Sequence, residues 1–471
     1  MNDGRTLAHP SRLIAPVALG AYAAAVAVAP KPAGTLVLAA PLVVAPLGYW
    51  AILKRNRWLA LFFAASLLLP PLPLGAGNSG PHPSVVVVLF GLLAGVLGLG
   101  EWHVPTAPLN RALGVFFLVL LASVAEAALY SGAAIALGSL ARVLLFGISV
   151  YVFFYAAYGP GGRDGDLQPQ LRLLYWAAVA SALFACVDFY YQLPAPAGFG
   201  PQFIWLRSGV YRRAQGLFYE ASTLGNFCAF FLVMIAASLL TGWRAAVSRV
   251  SLLLGALVFA GALVLSFSRG SLLNLLVAAA ALVYLNRPRI RIGRLLLVLA
   301  AVGVAGLLAL RALFPDFTEA WWMRVLVSGQ YLFTETEGLL SGRVASWRAV
   351  LAFLADHPGH ALLGIGYKTL PYSEYLGRTV ITDNMYLSLL AETGIVGVGA
   401  MLWLSFEILR AARAAAGSAD PRRRFFGAWI FAFWAGQMVQ MFTGDLLTYW
   451  RVMPLYFWVL AVAVRHEHPV S

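Results

Sequence analysis

Apolar runs of roughly 16–25 residues recur along this chain from end to end. As a helix, each is long enough to cross a hydrocarbon core about 30 Å thick. Lipid offers no partner to a backbone N–H or C=O, so continuous apolar runs of this kind are read as helices. A membrane barrel would show short alternating segments instead. Composition agrees: of 471 residues, 61% are hydrophobic and 11% charged, more apolar surface than a soluble core of this size needs. The expected fold is an all-α polytopic membrane protein, one integral membrane domain over 1–471. Spans are expected at 13–30, 34–53, 58–75, 84–101, 112–129, 142–158, 170–192, 225–241, 250–266, 271–286, 294–313, 384–410, 424–443 and 450–465. These make about fourteen transmembrane helices. The run at 13–30 resembles a signal peptide in length. We expect it to remain as the first span, because the charge map below works with it in place.

The net charge of +14 would suit a nucleic-acid partner. The basic residues, however, concentrate at 54–57, 287–294 and 410–424, short connections that all fall on one side of the expected spans. The positive-inside rule makes that side cytoplasmic, with both termini, and no nucleic acid is expected. Cys186 and Cys228 lie in or beside apolar runs, so neither a structural disulfide nor a metal cluster is expected of them. The sequence holds no internal repeat and no separable soluble domain.

Two outer connections are long, about 192–224 and 314–383, and ordered loops of that length are usually functional. The second separates the eleventh and twelfth spans. Within it, Val344, Trp347, Val350, Leu351 and Leu354 recur at helical spacing. An amphipathic helix is expected there, either lying on the membrane surface or packed on the spans.

Candidate chemistry gathers at the outer ends of the spans. An inner arginine is explained by topology, but an outer one is not. Arginine binds phosphate bidentately and stays charged, so an outer group of Arg212, Arg213, Arg269, Arg343 and Arg451 suits a lipid-linked phosphate or diphosphate. Snorkelling or headgroup contact would explain any one of them equally well. Arg269 stands in Ser268-Arg269-Gly270-Ser271, where Ser271 can cap the following helix. Glu220 lies at the start of the span near 225, either paired with Arg213 or functional. Asp383-Asn384 precedes the twelfth span: Asp383 suits a helix N-cap and also a general base. His357-Pro358-Gly359-His360 is a weak zinc candidate, because Pro358 and Gly359 argue against a helix and no third ligand is fixed. Asp445 and Tyr449-Trp450-Arg451 close the group at the end of the thirteenth span.

Together these pieces resemble the O-antigen ligase and Wzy-type polymerase superfamily. The resemblance covers roughly 213–451. It rests on Arg213 with Gly216 before a span; Ser268-Arg269-Gly270; Gly342-Arg343 through Trp347 to His357-Pro358 and Gly364-Ile365-Gly366; and Asp383-Asn384 followed by Gly394 and Gly397. Ligases of the family carry a His directly before that Asn. This chain has Asp383, which favours the polymerase branch.

The resemblance implies a GT-C-like glycosyltransferase of the bacterial inner membrane, multi-pass, with its active site facing the periplasm. It implies no cofactor and no obligatory metal. The donor would be an undecaprenyl diphosphate-linked glycan and the acceptor a second lipid-linked glycan. Membrane lipids are expected partners, and a chain-length regulator is a further one that the resemblance allows. On this reading Arg213, Arg269, Arg343 and Arg212 meet the diphosphate. Asp383 is the first choice as base and Glu220 the second, with His357, Asn384, Asp445 and Arg451 on the acceptor side. An O-antigen ligase or O-linked oligosaccharyltransferase is the alternative. A transporter or flippase fits less well, since the polar groups gather at one face.

Overall fold

A computed structural model of the protein describes residues 56–72, 81–160, 167–195, 202–206, 209–243, 247–287, 314–325 and 343–465, with scattered residues elsewhere. Its helices are α1 (Arg57–Leu68), α2 (Pro83–Leu97), α3 (Pro108–Ser131), α4 (Ala133–Tyr158), α5 (Leu167–Tyr191), α6 (Ala221–Thr241), α7 (Arg249–Leu265), α8 (Arg269–Leu285), α9 (Pro315–Val325), α10 (Arg343–Asp356), α11 (Pro358–Leu363), α12 (Met385–Ala416), α13 (Pro421–Gln440) and α14 (Met453–Val464).

Five of these, α3, α4, α5, α6 and α12, are long and apolar enough to cross a membrane. The shorter helices α1, α2, α7, α8 and α14 are also apolar. The chain is therefore a largely helical protein consistent with a polytopic membrane protein. The expected spans at 13–30, 34–53 and 294–313 fall largely outside the described residues. The expected span at 58–75 is shorter than the sequence suggested. α1 ends at Leu68, and Leu69 is already extended, because a residue before Pro70-Pro71 is excluded from helical backbone.

Helix starts follow local capping chemistry. Ser248 accepts from Ser251 N, and Asp420 accepts from Arg422 N and Arg423 N. The second corrected expectation is the cap of α8. Ser268, not Ser271, takes the N-cap position and accepts from Ser271 N, so Arg269 is the first helical residue.

The connections sort to two ends of the bundle. At one end Ala214 N donates to Leu265 O, Ser131 Oγ to Ser373 Oγ, and Met385 N to Met441 O. At the other end Arg413 reaches Tyr284 Oη, and Trp243 stacks near Phe425. The first end also holds an antiparallel hairpin unforeseen in the sequence, β1 (Phe203–Leu206) with β2 (Gly209–Arg212). Its four-residue strands are too short for periodicity to declare them.

Beneath that end, α6, α8, α13 and α14 share a buried amide network. Asn226 Nδ2 and Asn274 Nδ2 each donate to Gln437 Oε1 and Gln440 Oε1 at 2.6–2.9 Å. Tyr456 Oη donates to Asn226 Oδ1 at 2.5 Å. Asn274 Oδ1 and Gln437 Nε2 are left without a partner among the described residues, but each of these side chains has at least one. Here they fix the register of four helices.

Candidate active site

The site is built on a break in α12. Gly394 interrupts the helix at φ 66°, ψ −171°, a conformation that a residue with a Cβ adopts only at a cost. The break releases backbone carbonyls. Ala391 O accepts from Ile365 N at 3.1 Å and Glu392 O from Gly366 N at 2.9 Å. The segment around 364–366 therefore docks by main chain onto α12. Glycine makes the approach close enough: a Cβ on Gly394 would lie 2.0 Å from Leu362 O, and one on Gly364 would lie 2.3 Å from the Glu392 carbonyl. A Cβ on Gly366 would meet Ala127 of α3 at 2.4 Å. The glycines at 364 and 366, with Gly394 some 28 residues further on, are one interlock.

Immediately beyond it stands Lys368, in left-handed backbone at φ 57°. A lysine rarely adopts that region, so its placement is imposed by the docked loop. Its buried ammonium pairs with the Asp445 carboxylate. Leu370 N donates to Glu392 Oε1 at 3.2 Å, which ties the same loop to α12 a third time.

Asp383 is also left-handed, at φ 46°. Its Oδ2 accepts from Arg343 Nε at 3.0 Å, and Trp347 Nε1 donates to Thr382 O at 2.7 Å. α10 is thereby held against the entrance of α12, with Val350 and Leu354 buried beside Ile365, Leu370 and Ala391. Of the two placements open to this amphipathic helix, the described one packs on the chain. The N-cap expected of Asp383 belongs instead to Asn384, whose side chain accepts from Leu387 N. Left-handed backbone is incompatible with the extended geometry of a cap.

Glu220 occupies the N-cap position of α6 and accepts from Ser222 Oγ at 2.8 Å. Burial pushes its pKa above the ordinary carboxylate value. The Ser222 hydroxyl opposes that rise, the negative Asp383 and Asp445 add to it, and Lys368 opposes it. All four groups therefore lie within electrostatic range of one carboxylate. Tyr449 joins them: burial first, and Glu220 next, raise its phenol above the usual range. Glu220, Lys368, Asp383, Asp445 and Arg343 thus converge from five separate parts of the chain.

The other candidates sit around this cluster. Arg213 donates from Nε to Ser266 O at 2.8 Å and from Nη1 to Gln202 Oε1, tying the hairpin to the α7–α8 turn. Arg269 begins α8, where Gly270 packs on Thr443. Arg212 forms a buried ion pair with Asp188 at 2.6 Å and also donates to Leu193 O. Arg451 is buried and donates to the carbonyls of Ser66, Leu69 and Leu217. It clamps the end of α1 to the loop before α6.

His357 stacks on Phe353 and bonds its carbonyl, part of an aromatic knot with His360, Tyr130 and Tyr375. The expectation that Pro358 and Gly359 exclude a helix is corrected. α11 begins at Pro358, because proline at the first helical position loses no hydrogen bond. Among the described residues no group of three His, Cys, Asp or Glu side chains is placed to hold a metal ion.

Sequence reading did not single out Lys368 as a partner of Asp445, nor Arg142, Tyr219 and Tyr372. Arg142 carried a legible signal, as the one Asp, Glu, Lys or Arg within α4. The others gave none, since an outer lysine or tyrosine is ordinary at a membrane surface.

Residues 254–402 match the family model described as O-antigen ligase, a match consistent with the O-antigen ligase and Wzy superfamily. The matched stretch includes Ser268-Arg269-Gly270, the glycine interlock and Asp383-Asn384. No curated protein matches the chain.

Proposed function

We propose that this protein is a polymerase of undecaprenyl diphosphate-linked glycan repeat units, acting at the periplasmic end of its bundle in a bacterial inner membrane. The observation that carries the reading is the convergence of Glu220, Asp383 and Asp445 with Lys368 and Arg343 at one end of the membrane helices. A glycosyl transfer from a diphosphate needs one group to take a proton and several to meet developing negative charge.

The acceptor hydroxyl oxygen attacks the anomeric carbon of the donor sugar. The bond from that carbon to the diphosphate oxygen breaks, and its electron pair leaves with the lipid diphosphate. The hydroxyl proton passes to a carboxylate. Glu220 suits that role better than Asp383. The oxygen of Asp383 is engaged by Arg343, and that of Asp445 by Lys368, whereas Glu220 accepts from a neutral hydroxyl and is tuned upward by burial. Arg269, Arg213 and Lys368 supply fixed positive charge for the leaving group. Removing one such donor costs about 10²–10³ in rate where it acts on the transition state. Arg212 and Arg451 are assigned to holding the scaffold.

A ligase that moves the glycan to a different final acceptor is the second reading, favoured by the description of the matched family. Purified protein incubated with the lipid-linked repeat unit alone separates the two. A ladder of longer lipid-linked products supports the polymerase. No product until another acceptor is added supports the ligase and refutes the polymerase.

A further inference from the structure

Two tyrosines beside the charged cluster remain substantially exposed, Tyr372 at 46% and Tyr219 at 39%. Neither belongs to a loose segment. Tyr372 N and Ser373 N both donate to Thr369 O, and Ser131 Oγ of α3 donates to Ser373 Oγ at 2.8 Å. The Arg142 guanidinium, reaching over from α4, sits 4.2 Å from the centre of the Tyr372 ring. Tyr219 directly precedes Glu220, and Tyr372, Glu220 and Arg142 all lie within electrostatic range of its hydroxyl. Two exposed aromatic rings, that of Tyr372 held beneath an always-charged guanidinium, therefore stand at the edge of the proposed reaction site.

We propose that Tyr372, Tyr219 and Arg142 form a pyranose-binding shelf that holds a sugar ring of the acceptor glycan beside Glu220. The proposal rests on the glycosyl-transfer reading above. A pyranose presents one face of C–H groups, which carry partial positive charge and pack against the negative face of an aromatic ring. Its rim of hydroxyl oxygens needs donors, and the guanidinium provides them in a fixed fork. Preorganisation matters because a rigid ring loses little freedom on binding. A tyrosine of the lipid interface would need no guanidinium over its ring. Here the cation also serves to lock the Tyr372 orientation.

The test uses the full chain in lipid nanodiscs, with a panel of methyl pyranosides and the free repeat-unit oligosaccharide as probes. Binding is read by saturation-transfer NMR and titration, and turnover separately with the lipid-linked repeat unit. Tyr372→Ala and Arg142→Ala are each expected to weaken oligosaccharide binding about 3–10-fold, and Tyr372→Phe to keep it, because the ring survives. Should Tyr372→Ala not yield a monodisperse protein, Tyr219→Ala carries the same expectation.

Wild-type binding in Tyr372→Ala or Tyr219→Ala overturns the shelf while leaving the transfer reading intact. So does a wild-type enzyme that turns over the lipid-linked unit yet gives no saturation transfer. Ring-dependent sugar binding without turnover of any lipid-linked glycan supports the shelf and defeats the transfer reading instead.

Discussion

Replacing Gly394 with alanine perturbs the joint on which the site is built. The backbone there lies in a region that only glycine populates freely, so any side chain costs on the order of 1–3 kcal/mol. The new Cβ would lie 2.0 Å from Leu362 O and 2.2 Å from Leu362 C, both backbone atoms that cannot rotate away. Overpacking of that kind adds about 1–3 kcal/mol. The sum, about 2–6 kcal/mol, is about twice what the docked loop gains from its main-chain bonds at this point, where Leu370 N to Glu392 Oε1 and the Lys368–Asp445 pair also hold it. Its attachment at this point is two main-chain bonds, Ile365 N to Ala391 O and Gly366 N to Glu392 O, worth about 0.5–1.5 kcal/mol each. The loop is therefore expected to detach before the bundle unfolds, carrying Lys368 away from Asp445. Thermal unfolding in detergent should show a modest loss, and glycosyl transfer should fall much further. Gly399→Ala in the same helix is the control. Its Cβ meets nothing within 4 Å, so it should be neutral or slightly stabilising. Gly394→Ala with wild-type melting and wild-type turnover would refute the interlock.

Three further outcomes follow from the same contacts. Asp445→Asn strands the Lys368 ammonium, whose side chain is 6% exposed against 18% for its partner, and should destabilise by about 3 kcal/mol. The double change Lys368→Met with Asp445→Leu should recover most of that in a melting assay while remaining inactive. Gln440→Leu removes an acceptor shared by Asn226 and Asn274 and should cost about 1–3 kcal/mol, read by chemical denaturation in mixed micelles. Arg451→Leu strips donors from the carbonyls of Ser66, Leu69 and Leu217. It should lower thermal stability without altering the pH dependence of any residual activity. An Arg451 variant with native stability would remove the clamp from this account.

The helical core was largely readable from apolar run length, because lipid leaves the backbone no alternative to internal hydrogen bonding. The runs at 112–129, 142–158, 170–192 and 225–241 correspond to α3, α4, α5 and α6, whose starts lie three to nine residues earlier than expected and whose ends differ by at most two. Helix ends were less legible. Ser268 and Ser271 are equally good caps on paper, and the choice depends on where the α7–α8 turn closes.

The charged residues were visible one by one, as Glu220, Asp383, Asp445 and the outer arginines. Their partners were not. Nothing local says that Arg343 meets Asp383, that Arg212 is taken up by Asp188, or that Lys368 reaches Asp445. Those pairings join segments 24 to 77 residues apart, which only the packed fold brings together. The glycines showed this from the other side. Gly364, Gly366 and Gly394 were conspicuous as motifs, but their reason is a contact between backbones that only the fold reveals.

The proposed base offers the most direct test of the central claim. Glu220 has its pKa raised above the ordinary 4.5, so its deprotonated, proton-accepting form appears only at higher pH than for a free carboxylate. The sign for stability is the reverse of the usual acidic case. The folded state holds the proton more tightly than the unfolded one, so Glu220 detracts from stability as pH rises through the window above 4.5. The decisive measurement is the pH–rate profile of kcat/KM for the purified protein on an undecaprenyl diphosphate-linked glycan, wild type beside Glu220→Gln. The account predicts a wild-type rate that climbs with pH through a midpoint above 4.5. It predicts a Glu220→Gln enzyme about 10²–10⁴-fold slower that has lost this limb. A Glu220→Gln enzyme with a wild-type rate and the same limb would contradict it.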